Sequence, residues 1–245
     1  MENVNETVAG KAFHVLAGFG DSIMKGVILR KTTAEGRPEY ELTKQSILER
    51  CGKLLGIDTV NYARFGCTAP MGSKLVERYG MRLNDEQTVL IGYGGNDSDY
   101  DWEDIADHPD DIHHPKTSMF DFVKSYQQII NRIRQSGATP VMLTMPPMDA
   151  DRYFNFFTRN LSDWHRSNIL KWLGGSTKQI SLGHELYNKQ LYAIAQQENV
   201  RILDVTTDLM AKSDWADYLC ADGIHPNEKG QICLAETIAN QLRVA

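Results

Sequence analysis

The sequence predicts a three-layer α/β sandwich on a five-stranded, mainly parallel sheet, and three observations lead there. Five short segments rich in β-branched or other apolar residues recur along the chain, stretches of helical period separate them, and 245 residues with 42% apolar side chains suffice for one full core. The first strand is expected at residues 13–17. Ile47, Leu48, Cys51, Leu54 and Leu55 then share a helical face that stops at Gly56, so Cys51 reads as a core residue. Strands follow at 59–63 and 88–93. Met119, Phe122, Val123, Tyr126, Ile129, Ile130 and Ile133 make the next helical stripe, ending near Gly137. A strand at 139–145, a helix at 182–198, a strand at 200–205 and a helix at 228–243 complete a βαβαβαβαβα order. His14 falls inside the first strand and His184 on a helix, and both read as structural.

No repeat, low-complexity stretch or Pro/Gly/Ser linker divides the chain, so residues 1–245 are expected to form a single domain. Two segments fit the ladder poorly. Residues 98–117 are acidic and aperiodic, and residues 148–180, expected to be partly helical, hold Tyr153, Phe154, Phe156, Phe157, Trp164 and Trp172. Long excursions at such positions form lids or binding loops, which makes these two the expected specificity determinants.

Charge narrows the function classes. Asp and Glu total 32 against 26 Lys and Arg, a formal charge of −6, with no basic run or stripe; the footprint of a nucleic-acid or anionic-membrane binder is missing. Four widely spaced cysteines without a C-x-x-C pair suggest reduced thiols. No run of 18 apolar residues offers a membrane span, and the N-terminal residues lack an apolar signal core. The cytoplasm is the expected location, with a secreted mature form that has lost its signal peptide as the alternative.

Four strand ends carry residues with chemical potential. Gly20-Asp21-Ser22 follows the first strand and puts a hydroxyl, with its own backbone N–H, at a strand-to-helix turn. Alone, the tripeptide is weak, arising by chance in about one chain in fifteen of this length, and an N-cap serine explains it as well. Residues 61–66 end in Gly66, a free N–H or a plain turn. Gly92-Tyr93-Gly94-Gly95-Asn96-Asp97 ends the third strand; Asn96 can donate to an oxyanion, while the glycines also suit a phosphate cradle. Asp222-Gly223-Ile224-His225-Pro226 has the D-x-x-H spacing with which a carboxylate orients an imidazole, or a surface turn satisfies both. Together they deliver a nucleophile, oxyanion donors, a base and its orienting acid to the edge where open α/β sheets place their sites.

In these four blocks, in order from residue 20 to 226, the chain resembles the SGNH (GDSL-type) hydrolases. The resemblance implies a flavodoxin-like fold, Ser22 as nucleophile, His225 as base and Asp222 as its partner. It also implies an oxyanion hole of the Ser22 and Gly66 backbone N–H groups and the Asn96 amide, with no cofactor and no metal. The glycine block departs from the family pattern, because Arg64 and Phe65 stand where small residues are commoner. Cys67 is a rival nucleophile, should a thiolate near a helix start pair with His225. The string from Asp107 to His114 is rich in His and Asp, but it lacks an i, i+4 pair to fix metal ligands and reads as a solvated acidic loop.

The expected activity is hydrolysis of a carboxylic ester, an acetyl or short acyl group on a carbohydrate or small lipid, through an acyl-serine. Acyl transfer or thioester hydrolysis at the same site is the alternative within that chemistry. From another class, the alternative is a catalytically silent module binding a glycan or nucleotide through the aromatic segment.

Overall fold

The computed structural model describes residues 7–8 and 11–244. After a two-residue antiparallel pair, β1 (Thr7–Val8) with β2 (Lys11–Ala12), the chain runs β3 (Val15–Gly20), α1 (Ser22–Lys25), β4 (Val27–Thr32), β5 (Pro38–Leu42), α2 (Ile47–Leu55) and β6 (Asp58–Asn61). It continues through α3 (Ala69–Tyr79), β7 (Gln87–Gly92), α4 (Trp102–Asp107), α5 (Met119–Gln135) and β8 (Thr139–Leu143). Last come α6 (Ala150–Phe157), α7 (Asp163–Trp172), α8 (Lys178–Glu198), β9 (Arg201–Leu203), α9 (Thr207–Met210) and α10 (Glu228–Arg243). The five-stranded sheet has the order β6-β3-β7-β8-β9, and all four neighbouring pairs are parallel. Counted within the sheet this is 2-1-3-4-5, the flavodoxin-like order, whose reversal between β3 and β7 opens a crevice at the carboxyl ends of the strands.

Alternation along the strands divides the core in two. Ala17, Phe19, Val89, Ile91 and Met142 face one side, where they pack against α3, α5 and α8. Leu16, Leu90, Val141, Leu143 and Leu203 face the other, against α2 and α10. Helix α2 begins with a capping box, in which Ser46 Oγ accepts from Glu49 N while Glu49 Oε2 accepts from Ser46 N, 2.7 Å away. Of the five residues assigned to its apolar face, Ile47, Leu48, Cys51 and Leu55 are buried, but Leu54 is 42% exposed. Leu55 already occupies the inward position, and the step of 100° per residue turns Leu54 toward the rim.

The strands differ from expectation at their ends. β3 starts at Val15 and extends to Gly20, because its ladder with β7 carries through the glycines up to the Gly20–Gly92 pair. His14 therefore precedes the strand and is exposed. β6 stops at Asn61, whose Oδ1 accepts from Ala63 N at 3.0 Å, an Asx turn that bends the chain out of the sheet. The acidic excursion is not an irregular loop, and the aromatic one is helical in part as expected. Residues 98–117 contain α4, and residues 148–180 contain α6 and α7; Trp102, Ile105, Phe154, Ile169, Leu173 and Ile180 bury one another in a satellite core. The acidic string folds with them: His108 and His113 each pair with Asp104, at 3.2 and 3.1 Å, and His165 pairs with Asp107 at 3.1 Å. The antiparallel hairpin β4–β5 was not foreseen. No helix among the described residues is long and apolar enough to cross a membrane.

Ile129 is fully buried on α5. Ile129→Ala should cost about 2–5 kcal/mol in urea unfolding, whereas Leu54→Ala should stay within about 0.5 kcal/mol of wild type. Equal losses would contradict the facing of α2 described above.

Candidate active site

The carboxyl ends of β3 and β7 set the first two groups. A Cβ on Gly20 would lie 2.9 Å from Gly92 O and 2.7 Å from Met24 Cβ, so only glycine lets β3 run this close to β7 before the chain turns. Asp21 caps the turn, its Oδ1 accepting from Ile23 N at 2.9 Å, and Ser22 opens α1 with its side chain buried. The backbone N–H groups of Ser22 and Gly66 have no acceptor among the described residues. After β7, Asn96 Nδ2 donates to Asp21 Oδ2 and to Cys67 O, each at 3.3 Å. Both bonds are long, so an oxyanion arriving at a shorter distance competes for the same hydrogens.

The last block reaches this point from the other end of the chain. His225 Nε2 is 2.9 Å from Ser22 Oγ, and His225 Nδ1 is 2.8 Å from Asp222 Oδ2. Asp222 is fully buried, and its Oδ1 accepts from the backbone N–H of Ile224 and of His225, both at 3.1 Å. Three interactions thus converge on one carboxylate and orient the ring. Gly223 carries a φ of 76°, and a Cβ there would lie 2.6 Å from Asp149 O; its own carbonyl accepts from Asp149 N at 2.8 Å. The block is therefore seated directly on the start of α6.

All five residues singled out in the sequence, Ser22, Gly66, Asn96, Asp222 and His225, lie at this one place, and all but the buried Asp222 line one cavity of about 390 Å³. Cys67 is fully buried, and burial, reinforced by the charges of Asp21 and Asp97, pushes its thiol up to about 11. A neutral thiol of that kind is no rival to Ser22. Phe65, from the same block, faces the cavity, with its ring parallel to the imidazole at 6.3 Å, while Arg64 turns outward to Tyr79. His184 lines the cavity from α8, and desolvation lowers its pKa to about 4, leaving it neutral.

Tyr40 and Asp97 escaped the sequence reading. Tyr40, on β5, packs its ring 5.2 Å from that of His225. Burial and the charge of Asp222 hold its phenol above the ordinary value, so it stays protonated. No motif marks it, since it comes from the unforeseen hairpin. Asp97 accepts from Ala69 N through both oxygens, at 2.9 and 3.1 Å, and so ties the end of β7 to the start of α3. Its only signal was its place after Asn96.

An open parallel sheet with a Ser–His–Asp hydrogen-bonded chain at its switch point places the molecule among the α/β proteins with a hydrolase-type site. More narrowly, the chain belongs to the GDSL-like Lipase/Acylhydrolase family, whose model matches residues 19–231. The GDSL esterase/lipase WDL1 of Oryza sativa subsp. japonica is 22% identical over 159 residues, 64% of this chain and 54% of that protein. A GDSL esterase/lipase of Arabidopsis thaliana is 26% identical over 159 residues, 64% of this chain and 44% of that one. The chain spans about half the length of these curated relatives. Among solved structures, the lipase/acylhydrolase from Enterococcus faecalis superposes with a TM-score of 0.61 at 15% identity, over 95% of this chain and 96% of that one. A lipolytic G-D-S-L family protein from Veillonella parvula gives 0.59 at 16% identity, over 93% and 97%. At such identities the structures demonstrate a shared fold.

Burial raises Asp21 and Asp97 from the ordinary carboxylate value to about 6 each. Both bind a proton more tightly in the folded chain than in the unfolded one, so between about pH 4 and pH 6 the folded state holds more protons and stability falls as pH rises. Asp97→Asn removes its share of that fall. Urea midpoints on either side of the window should differ less in Asp97→Asn than in wild type; an unchanged difference would contradict the assignment.

Proposed function

We propose that the chain is a serine-dependent carboxylic ester hydrolase, and the observation that carries this is the unbroken Ser22–His225–Asp222 hydrogen-bonded chain within the cavity. His225 Nε2 takes the Ser22 proton as Oγ attacks the ester carbonyl, while Asp222 holds the imidazole through Nδ1 and stabilises the imidazolium that forms. The oxyanion is received by the Ser22 and Gly66 N–H groups and by Asn96. The imidazolium then gives its proton to the leaving alcohol, and water, activated by the same ring, releases the acid from the acyl-serine.

The family supports ester chemistry, and the cavity supports a compact substrate. About 390 Å³ lies at the small end of ligand sites and suits an acetyl or short acyl group rather than a long lipid tail. Tyr100, Trp102, Tyr153, Phe156 and Phe157 come to the cavity wall from residues 98–117 and 148–180, which supports those two segments as its specificity determinants.

Ser22→Ala and His225→Ala should each lower kcat by about 10³ or more, and Asn96→Ala by about 10² to 10³. A p-nitrophenyl ester series from acetate to decanoate measures all three and sizes the acyl site, with preference expected at the short end. Wild-type turnover by purified Ser22→Ala, or a fluorophosphonate that fails to label Ser22, would remove the serine mechanism.

A further inference from the structure

Arg159 stands just beyond α6, half-buried, and lines the same cavity as Ser22 and His225. Its Nε donates to Gly36 O at 2.7 Å, its Nη1 donates to Phe156 O, and the guanidinium lies over the Phe156 ring, 4.2 Å from the centroid. These partners are neutral. No carboxylate among the described residues pairs with it, and Nη2 has no acceptor. Nearby charges are differently placed: Arg152 is paired with Asp149 at 3.1 Å. Asp99, an acid on the cavity wall, is taken up by Lys116 at 2.7 Å and by Trp102 Nε1 and Tyr153 OH, each at 2.8 Å. The cavity therefore presents a guanidinium held by neutral partners, without an ion-pair partner among the described residues and with Nη2 unused. A partly desolvated cation without a counter-ion is unfavourable until an anion arrives, and a planar guanidinium edge matches the two oxygens of a carboxylate or phosphate.

Its position also says which end of the substrate it meets. Tyr40 lies against the His225 ring, and Arg159 is bonded through Gly36 O to the same β4–β5 hairpin that carries Tyr40, so Arg159 belongs to the imidazole side of the cavity. The imidazole side is where the leaving alcohol departs, because His225 Nε2 is the group that protonates it.

We propose that Arg159 anchors an anionic group on the alcohol portion of the substrate, so that this site takes short acyl esters of alcohols bearing a carboxylate or phosphate. This rests on the reading of Ser22 as nucleophile and His225 as base. Arg159 also ties the β4–β5 hairpin to α6 through Gly36, and the test must separate the two roles.

The experiment compares kcat/KM for 3- and 4-acetoxybenzoate, for 4-acetoxyphenyl phosphate, and for the neutral methyl acetoxybenzoates, in wild type, Arg159→Gln and Arg159→Lys. Arg159→Gln should lose roughly 10- to 100-fold on at least one anionic ester, the size expected for a lost charge-assisted bond, and change the methyl esters by less than about threefold. The ester that responds tells carboxylate from phosphate. Arg159→Lys, which keeps the charge but gives up the Gly36 bond, should retain more of the anionic preference than Arg159→Gln. An equal fall on charged and neutral esters, or no fall on either, overturns the proposal and leaves Arg159 as a strap for the hairpin. Binding gives a readout independent of turnover: in Ser22→Ala protein, Arg159→Gln should weaken 3- or 4-acetamidobenzoate or 4-acetamidophenyl phosphate roughly tenfold or more and leave the methyl acetamidobenzoates unchanged. If wild type hydrolyses no ester and Ser22 does not label, the nucleophile reading fails while this binding comparison still decides the role of Arg159.

Discussion

The close parallel approach of β3 and β7 at their carboxyl ends is the constraint on which the site depends. With no side chain at Gly20, the two backbones stay in register to the Gly20–Gly92 pair, and the chains that leave them carry Ser22 and Asn96 out side by side. A side chain at Gly20 would meet Gly92 O and Met24, displacing Ser22 from the imidazole of His225, 203 residues away in sequence. The precision with which Ser22 Oγ meets His225 Nε2 comes from this ladder, because sheet hydrogen bonds tolerate far less displacement than a surface loop does.

Three carboxylates gather around that point, and each is satisfied differently. Asp222 accepts two backbone N–H groups and the imidazole. Asp21 is held by one backbone N–H and the Asn96 amide, and Asp97 by the N–H that opens α3. The last two sit in surroundings that favour the protonated form, and Asp21 further raises the pKa of Asp97 through its charge. Such crowding works against stability, yet it fixes the loops that carry Ser22, Asn96 and His225.

The satellite core gives the cavity its character. Trp102 stacks on Phe157 at 4.6 Å, Tyr153 meets Phe157 at 5.0 Å, and the Gly223 turn sits on the start of α6. The aromatic wall and the triad block are thus mechanically joined, so substitutions in α6 reach His225 through the Asp149–Gly223 contact. Opposite, the β4–β5 hairpin brings Tyr40 to the imidazole and is tied back to the same helix by Arg159.

By itself the sequence determined the layered α/β order, the face of α5, and the five residues that meet at the site. Those features are written locally: periods of 2 and 3.6 report burial, and short strings at strand ends report turns. Leu54, His14 and the ends of β3 and β6 went differently, because a helix rim and a strand end are set by neighbours such as β7 and by the Asn61 side chain. Only the tertiary structure decided the rest. Tyr40, Asp97 and Arg159 carry no local pattern, since each acts through a partner far away in sequence, and the acidic segment became part of a core because its Trp102 and Ile105 bury against α6 and α7. The hairpin, two charged strands paired only with each other, buries too little to announce itself by periodicity, yet it closes the site on the imidazole side.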